Sequence, residues 1–172
     1  NIPELTSGTA YSADENQTAI GTVTATDADG DVITFSISGA EINIDSSTGV
    51  LTFVEAPDYE TKSSYTAALQ LSDGENNRTV NITVAVNNLN DNAPVFTSDA
   101  SFSVDENEAV IGTVTASDIE NDTIAYSVSG LEIEINSSTG VLTFVSPPDY
   151  ETKTSYSAEV TASDGTNSTT QE

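Results

Sequence analysis

The sequence predicts an all-β protein built of two tandem Greek-key β-sandwiches of seven strands each, the second lacking its last strand. Three observations predict this class. The chain aligns with itself without a gap after a shift of 91 positions. Apolar residues alternate with Ser and Thr, and turn-forming clusters separate the alternating segments. No segment has the apolar period of an amphipathic helix.

Composition excludes several functions. The 172 residues include 28 Asp and Glu against 3 Lys and Arg, a net charge of -25, so nucleic acid is not an expected partner. The chain has no Cys and no His, which removes thiol nucleophiles, imidazole bases and the usual zinc ligands. We therefore predict that it is not an enzyme. Because the apolar stretches are only a few residues long, we also expect no membrane insertion.

The self-alignment defines two copies of one domain, and we predict domains at residues 1–91 and 92–172. More than half of the aligned positions carry the same residue. The matching segments include Asp14-Glu15-Asn16 with Asp105-Glu106-Asn107, residues 46–54 with 137–145, and residues 57–62 with 148–153.

The elements of the first copy follow from period-two alternation, which is typical of strands with one buried face. A strong acidic charge with few aromatics is also compatible with disorder, but regular alternation favours a folded chain. With a strand near residues 9–13 there are seven short strands, as in immunoglobulin-like sandwiches. The second copy stops at Glu172, the partner of Asn81, so its last strand is predicted to be missing. The alternating residues are Val23 and Ala25; Ile33, Phe35 and Ile37; Ile42 and Ile44; Leu51 and Phe53; Tyr65, Ala67, Leu69 and Leu71; and Val80, Ile82, Val84 and Val86.

Acidic loop residues are predicted to gather where the two domains meet. Seven alternating strands place entry and exit at opposite ends, so each loop can be assigned to one end. Like charges at about 5 Å repel by roughly 3 kcal/mol per pair at an effective dielectric near 20, so an ordered junction requires a cation. Oxygen ligands from flexible loops favour Ca²⁺ over Mg²⁺ or softer metals. The carboxylates are Glu15, Asp58, Glu60, Asp91, Asp118, Glu120, Asp122 and Asp164.

These residues carry a resemblance to the cadherin family, and specifically to tandem cadherin-like repeats of large bacterial surface proteins. Asp14-Glu15-Asn16 resembles the family's Pro-Glu-Asn motif, and Asp58-Tyr59-Glu60 its Asp-Arg-Glu motif. Residues 88–94, Asn-Leu-Asn-Asp-Asn-Ala-Pro, resemble its linker. Asp118-Ile119-Glu120 resembles its Asp-x-Asp motif, and Ser163-Asp164-Gly165 a late acidic turn. The resemblance covers the whole chain.

The resemblance implies two to three Ca²⁺ ions at the linker. Glu15, Glu60 and Asp91 would bridge the ions nearer the first repeat, and Asp58 would bind the outermost. Glu120 would share the ions nearer the second repeat, and Asp118, Asn90 and Asp164 would close the innermost site. Neutral oxygens would come from Leu89, Asn92 and Asn121. Asn88 and Glu120 stand where the family usually has Asp, and the chain has no Trp for strand-exchange adhesion.

The expected function is that of an extracellular or cell-surface spacer or adhesion module, made rigid by calcium and joined to neighbouring repeats of the same chain. Two alternatives are calcium-dependent carbohydrate binding, with polysaccharide as the partner, and calcium-dependent homophilic adhesion to another cell-surface protein. Further acidic groups, predicted to be empty or weakly loaded, face outward from the pair. They comprise Asp27, Asp29, Asp31 and Asp73 in the first repeat, and Glu106, Asp149 and Glu151 in the second.

Overall fold

The computed structural model describes residues 1–172. They form two compact units, Asn1–Leu89 and Asn90–Glu172, so the division falls two residues before the predicted boundary. All the regular structure is β-strand. The strands of the first unit are β1 (Glu4–Leu5), β2 (Ala10–Asp14), β3 (Ala19–Thr22), β4 (Ala25–Thr26), β5 (Thr34–Ile37), β6 (Ile42–Ile44), β7 (Val50–Phe53), β8 (Ser64–Ser72) and β9 (Asn77–Asn87). Those of the second are β10 (Val95–Phe96), β11 (Val110–Thr113), β12 (Ala116–Ser117), β13 (Ala125–Val128), β14 (Ile133–Ile135), β15 (Val141–Phe144), β16 (Val160–Ser163) and β17 (Ser168–Gln171).

Two sheets and a short strand pair make up the first unit. One sheet has the order β2-β9-β8-β5 and the other β3-β7-β6, while β1 pairs with β4. The strand β2 runs parallel to β9, with Ala10 opposite Thr83 and Asp14 opposite Asn87. All other pairings in this unit are antiparallel.

The first unit has nine strands rather than the predicted seven, because one short strand was not predicted and one predicted strand is divided. The strand that was not predicted is β1, which pairs with β4 and precedes β2, the strand expected near residues 9–13, which pairs with β9. The predicted strand around Val23 and Ala25 divides into β3 and β4, and the register of β3 shifts between Ala19 and Gly21. Such irregularities let a strand bend and change its partner.

The core of the first unit is formed by the alternate residues of each strand that face inward, as the alternation predicts. Leu51, Leu69, Leu71 and Val84 are completely buried. Long, paired β8 and β9 hold this core because their registers match from Ser64 opposite Ala85 to Ser72 opposite Asn77. The full buried set is Ala13, Val23, Phe35, Ile42, Leu51, Phe53, Leu69, Leu71, Ile82, Val84 and Val86.

The second unit repeats this plan with fewer paired residues. Its sheets have the orders β13-β16-β17 and β11-β15-β14, and β10 pairs with β12. The prediction that its last strand is missing is wrong in detail, because β17 pairs with β16 from Ser163 opposite Ser168 to Val160 opposite Gln171. The last strand is therefore shortened, and its four residues suffice for a hairpin.

Strand β17 ends at Gln171, the position that aligns with Val80, whereas β9 continues to Asn87. Residues 101–105, which match β2, and residues 155–159, which match the first part of β8, lie outside the strands. Between them is a groove of about 530 Å³ whose lining includes Phe102, Leu142 and Tyr156. The buried core cluster here is limited to Val114, Leu142 and Val160.

No helix of the structure has the length and apolar character needed to cross a membrane.

Candidate metal centre

Three acidic residues of the first unit form a group that we call the exit cluster, because it lies beside the segment by which the chain leaves the unit. Glu15, Asp58 and Glu60 each place a carboxylate oxygen within 4.8 Å of the others. Glu15 follows β2, and the other two residues lie in the loop between β7 and β8. Loops distant in sequence thus meet at one end of the sandwich.

Glu15 holds this cluster to the exit segment. It is only 2% exposed, and its Oε1 accepts the N–H of Leu89 at 2.7 Å while its Oε2 accepts that of Tyr59 at 2.7 Å. The parallel pairing of β2 with β9 brings Leu89 into reach, since the N–H of Glu15 also donates to the carbonyl of Asn87 at 3.2 Å. A charged acceptor with two backbone donors is a strong arrangement.

Asp58 is exposed and is shaped by its own turn. The hydroxyl of Thr61 donates to its Oδ2 at 2.9 Å, and the N–H of Thr61 donates to its Oδ1 at 3.2 Å. These hydrogen bonds from Thr61, the side-chain bond first, hold the pKa of Asp58 below its usual value. The carboxylate is therefore charged at neutral pH and available as an oxygen ligand.

The corresponding group at the start of the second unit, which we call the entry cluster, consists of Asp118, Glu120 and Asp122. Each places a carboxylate oxygen within 4.8 Å of the others. The loop between β12 and β13 is folded around Asp118, whose Oδ1 accepts the N–H groups of Glu120 at 3.0 Å and Asp122 at 3.2 Å. The other carboxylate oxygen of Asp118, Oδ2, takes no part in these hydrogen bonds.

The remaining oxygens of this cluster test whether a cation fits. Asp118 Oδ2 and Glu120 Oε2 are both buried and have no hydrogen-bond partner. A buried carboxylate oxygen without a partner is costly, and a cation placed beside these two atoms would offset that cost. The neighbouring donors are carboxylates, amides and carbonyls, which suit a hard cation such as Ca²⁺.

The segment that enters the second unit lies against these residues. Asn92 Nδ2 donates to Glu120 Oε1 at 2.6 Å and to Asp91 Oδ1 at 2.7 Å. Asn90 lies against the turn between β16 and β17, where Asn167 Nδ2 donates to Asn90 Oδ1 at 2.8 Å. In the same turn, burial works against ionisation of Asp164, yet the N–H groups of Asn167 and Thr166 outweigh it and lower its pKa.

The structure thus places the predicted ligands in two groups, one in each unit. Of the neutral donors, Asn121 is exposed, adopts a left-handed backbone with φ 64°, and returns its amide to the carbonyl of Ile119 at 3.4 Å. Asn88 is exposed. Sequence reasoning missed Asn167, although its alignment with Asn76 was a usable signal. The first unit contributes Glu15, Asp58, Glu60, Asn88 and Leu89; the second contributes Asn90, Asp91, Asn92, Asp118, Glu120, Asn121 and Asp164.

The same two arrangements recur at the other ends of the units. Asp27, Asp29 and Asp31 form a group that matches the entry cluster, and Asp27 Oδ2 is buried without a hydrogen-bond partner, as in Asp118. The group of the second unit that matches the exit cluster is exposed and consists of Glu106, Asp149 and Glu151. Each unit therefore carries one acidic group of each kind.

Comparison with known proteins identifies the family. A model described as a bacterial Ig domain matches residues 90–172. The chain is 35% identical over 163 residues to human protocadherin Fat 4, a match that covers 83% of this chain and 3% of that protein. It is 32% identical over 153 residues to human cadherin-23, covering 81% of this chain and 5% of that protein. The chain therefore spans only a small fraction of these relatives.

The fold comparison agrees with the sequence matches. A solved structure of three mouse cadherin-23 repeats, EC22-24, superimposes with a TM-score of 0.80 over 99% of this chain and 65% of that one, at 24% identity. At this identity the likeness concerns the fold. Together with the sequence matches to cadherins, it shows that this chain is made of cadherin-like repeats.

Proposed function

We propose that the chain is a calcium-dependent structural segment of an extracellular protein, in which ions bound at the linker fix the angle between consecutive repeats. The ions would be held by the exit cluster, by the entry cluster with Asp164, and by oxygens of residues 88–92. The observation that carries the proposal is the pair of buried, unpartnered carboxylate oxygens on Asp118 and Glu120.

Chain connectivity supports a shared site. Glu15 of the exit cluster binds the N–H of Leu89, while Asn167 beside Asp164 binds the side chain of Asn90. Leu89 and Asn90 are consecutive, so the exit cluster and the turn that carries Asp164 are each hydrogen-bonded to neighbouring residues of the linker.

The negative charge of both clusters favours binding of a divalent ion over direct contact of the carboxylates with each other. Eight of the proposed ligands are carboxylates, and the net charge of the chain is -25. Without a cation the clusters repel one another and favour a mobile linker. Extracellular modules bind Ca²⁺ with dissociation constants of about 10⁻⁴ to 10⁻³ M, so millimolar external calcium would load the site and cytosolic calcium would not.

Two to three ions would share these ligands. Glu15, Asp58, Glu60 and Asp91 would hold the ions nearer the first repeat. Asp118, Glu120 and Asp164, with the oxygens of Asn90 and Asn92, would hold those nearer the second. Asn121 contributes least to this proposal, because its amide is already used within its own loop.

The decisive experiment measures interdomain motion by small-angle X-ray scattering in calcium and in EDTA, alongside calcium titration by calorimetry. We expect calcium to narrow the distribution of interdomain distances, and Asp118→Asn to weaken binding at least tenfold and restore the motion. Asp27→Asn is the matched control, because Asp27 is the counterpart of Asp118 in the first repeat and belongs to an outer cluster. Identical scattering profiles in calcium and EDTA would refute the proposal.

A further inference from the structure

The amide nitrogen of Asn167 lies in a cluster of oxygens. Asn167 Nδ2 is 2.8 Å from Asn90 Oδ1, 3.1 Å from the carbonyl of Asn92, 3.3 Å from the carbonyl of Asn90 and 3.4 Å from Asp164 Oδ2. An amide NH₂ has only two hydrogens, so the four acceptors compete for them. Three of the four oxygens belong to the segment that enters the second unit.

The turn between β16 and β17 fixes the position of this nitrogen. The N–H of Asn167 donates to Asp164 Oδ1 at 2.6 Å, and the carbonyl of Asn167 accepts from the hydroxyl of Ser163 at 2.9 Å and from the N–H of Asp164 at 3.2 Å. Ser163 and Ser168 close the hairpin as a cross-strand pair. The amide is thus presented from a rigid hairpin, not from a free loop.

The first unit repeats the arrangement at the corresponding residues. Asn76, which aligns with Asn167, has its N–H on Asp73 Oδ1 at 2.5 Å and its Nδ2 on Asp73 Oδ2 at 3.0 Å. Its Nδ2 also donates to the carbonyl of Asn1 at 3.1 Å, and Asn1 aligns with Asn92. The neighbours of the two Asn residues differ, Glu75 in one unit and Thr166 in the other, while the Asn and its contacts recur.

We propose that Asn167 is a positioning residue that holds the oxygens of Asn90 and Asn92 together in the absence of a cation, so that the inner metal site is preformed. The calcium part of this inference rests on the proposed function. Oxygens that converge on one point repel each other, and the partly positive NH₂ group between them offsets that repulsion. Each carbonyl oxygen has two lone pairs, so it can accept from Asn167 and still face an ion.

Preformed ligands lower the ordering cost of binding, so removal of the amide is expected to act on both linker order and affinity. Amide hydrogen exchange of residues 90–93 in EDTA measures the first. We expect Asn167→Ala to raise exchange there and to weaken calcium binding roughly three- to tenfold, the loss expected for one or two neutral hydrogen bonds. The matched control Asn76→Ala removes the same amide from the first unit and should leave residues 90–93 unchanged.

Asn167→Asp separates hydrogen-bond donation from side-chain size. A carboxylate has the shape of the amide but cannot donate, so in EDTA this variant should exchange like Asn167→Ala. With calcium present, exchange of residues 90–93 should return towards that of the parent chain, because the carboxylate is itself an oxygen ligand.

Two results for Asn167→Ala would overturn the positioning role. One is amide exchange of residues 90–93 equal to that of the parent chain, and the other is faster exchange together with an unaltered calcium affinity. A parent chain that binds no calcium at all would refute the proposed function instead. In that case the exchange data in EDTA would still decide whether Asn167 orders the linker.

Discussion

The two units carry nearly the same motifs, but the first is packed more completely than the second. In the first, Leu51, Leu69 and Val84 are fully buried. In the second, the buried cluster reduces to Val114, Leu142 and Val160. Part of the difference lies in the core side chains, since Val160 and Ala162 align with the larger Leu69 and Leu71. Part of it lies in residues 82–87 of β9, since β17 ends at Gln171, the position that aligns with Val80.

That short segment has three effects in the first unit. It places Ile82, Val84 and Val86 in the core, it pairs with β2 on one side and with β8 on the other, and it leads to Leu89, which Glu15 binds. One strand therefore supports the core, the sheet and the exit cluster together. The comparison teaches that sheet pairing distant in sequence accompanies the burial of Glu15 in the exit cluster, since its counterpart Glu106 belongs to a group of the same kind but is exposed.

The largest expected effect is a difference between matched core substitutions. Leu51→Ala should lower the unfolding free energy of the first unit by about 3–5 kcal/mol, and Leu142→Ala that of the second by about 2–3 kcal/mol, since Leu142 borders the groove. Denaturant titration followed by NMR signals from each unit measures both, with the exposed Val32→Ala as the control. Equal losses would show that the second core is as tightly packed as the first.

The next effect should be the same in both units. Gly49 has φ +72° and a Cβ there would lie 2.3 Å from the carbonyl oxygen of Val23, and Gly140 has φ +69° with 2.2 Å to that of Val114. We expect Gly49→Ala and Gly140→Ala to cost about 2 kcal/mol or more each. A cost confined to the first unit would mean that the second tolerates backbone shifts in this turn.

Substitution of the buried Glu15 and of its exposed counterpart should again affect the stability of the two units differently. In EDTA, Glu15→Gln should lower the unfolding free energy by about 1.5–3 kcal/mol, the range for hydrogen bonds to charged groups, because the amide can no longer accept from both Leu89 and Tyr59. Glu106→Gln should have little effect, since Glu106 is exposed and accepts only a 3.2 Å hydrogen bond from Tyr150. Thermal unfolding of both variants tests this, and equal shifts would contradict it.

The smallest expected effect is on the stability of the first unit at low pH. Hydrogen bonds from Thr48 and Ser47, the backbone of Thr48 first, hold the pKa of Asp45 far below its usual value. A lowered carboxyl pKa contributes stability above the unfolded value of about 3.9, and this is lost as the pH falls through the folded value. Asn136 accepts the same turn's hydrogen bonds in the second unit without titrating.

We therefore expect Asp45→Asn to reduce the loss of stability of the first unit between about pH 4 and pH 2. Circular dichroism melts over this range provide the measurement, with the neutral-pH stabilities as reference. An acid response identical to that of the parent chain would show that Asp45 does not contribute to it.

Much of this architecture is predictable because it depends on local patterns. Residues of the alternating segments, such as Phe35 and Leu69, face the core as the alternation predicts. Acidic residues in the turns predict where the clusters lie. What could not be predicted depends on long-range pairing: the short β1 with its pairing to β4, and the parallel contact of β2 with β9. The contacts of Asn167 are equally hidden, because they exist only when the linker folds against the turn.

The pairing of β2 with β9 also bears on biosynthesis. Because β2 near the start of the first repeat pairs with β9 at its end, the sandwich is incomplete until residue 87 has left the ribosome. The next repeat, which carries the same residue at more than half of the aligned positions, then begins to emerge. During that interval two copies offer interchangeable strands to each other, the situation in which repeat proteins exchange segments between neighbours. Sequence divergence between adjacent repeats makes such an exchange of strands less favourable and so helps each repeat to fold with its own strands.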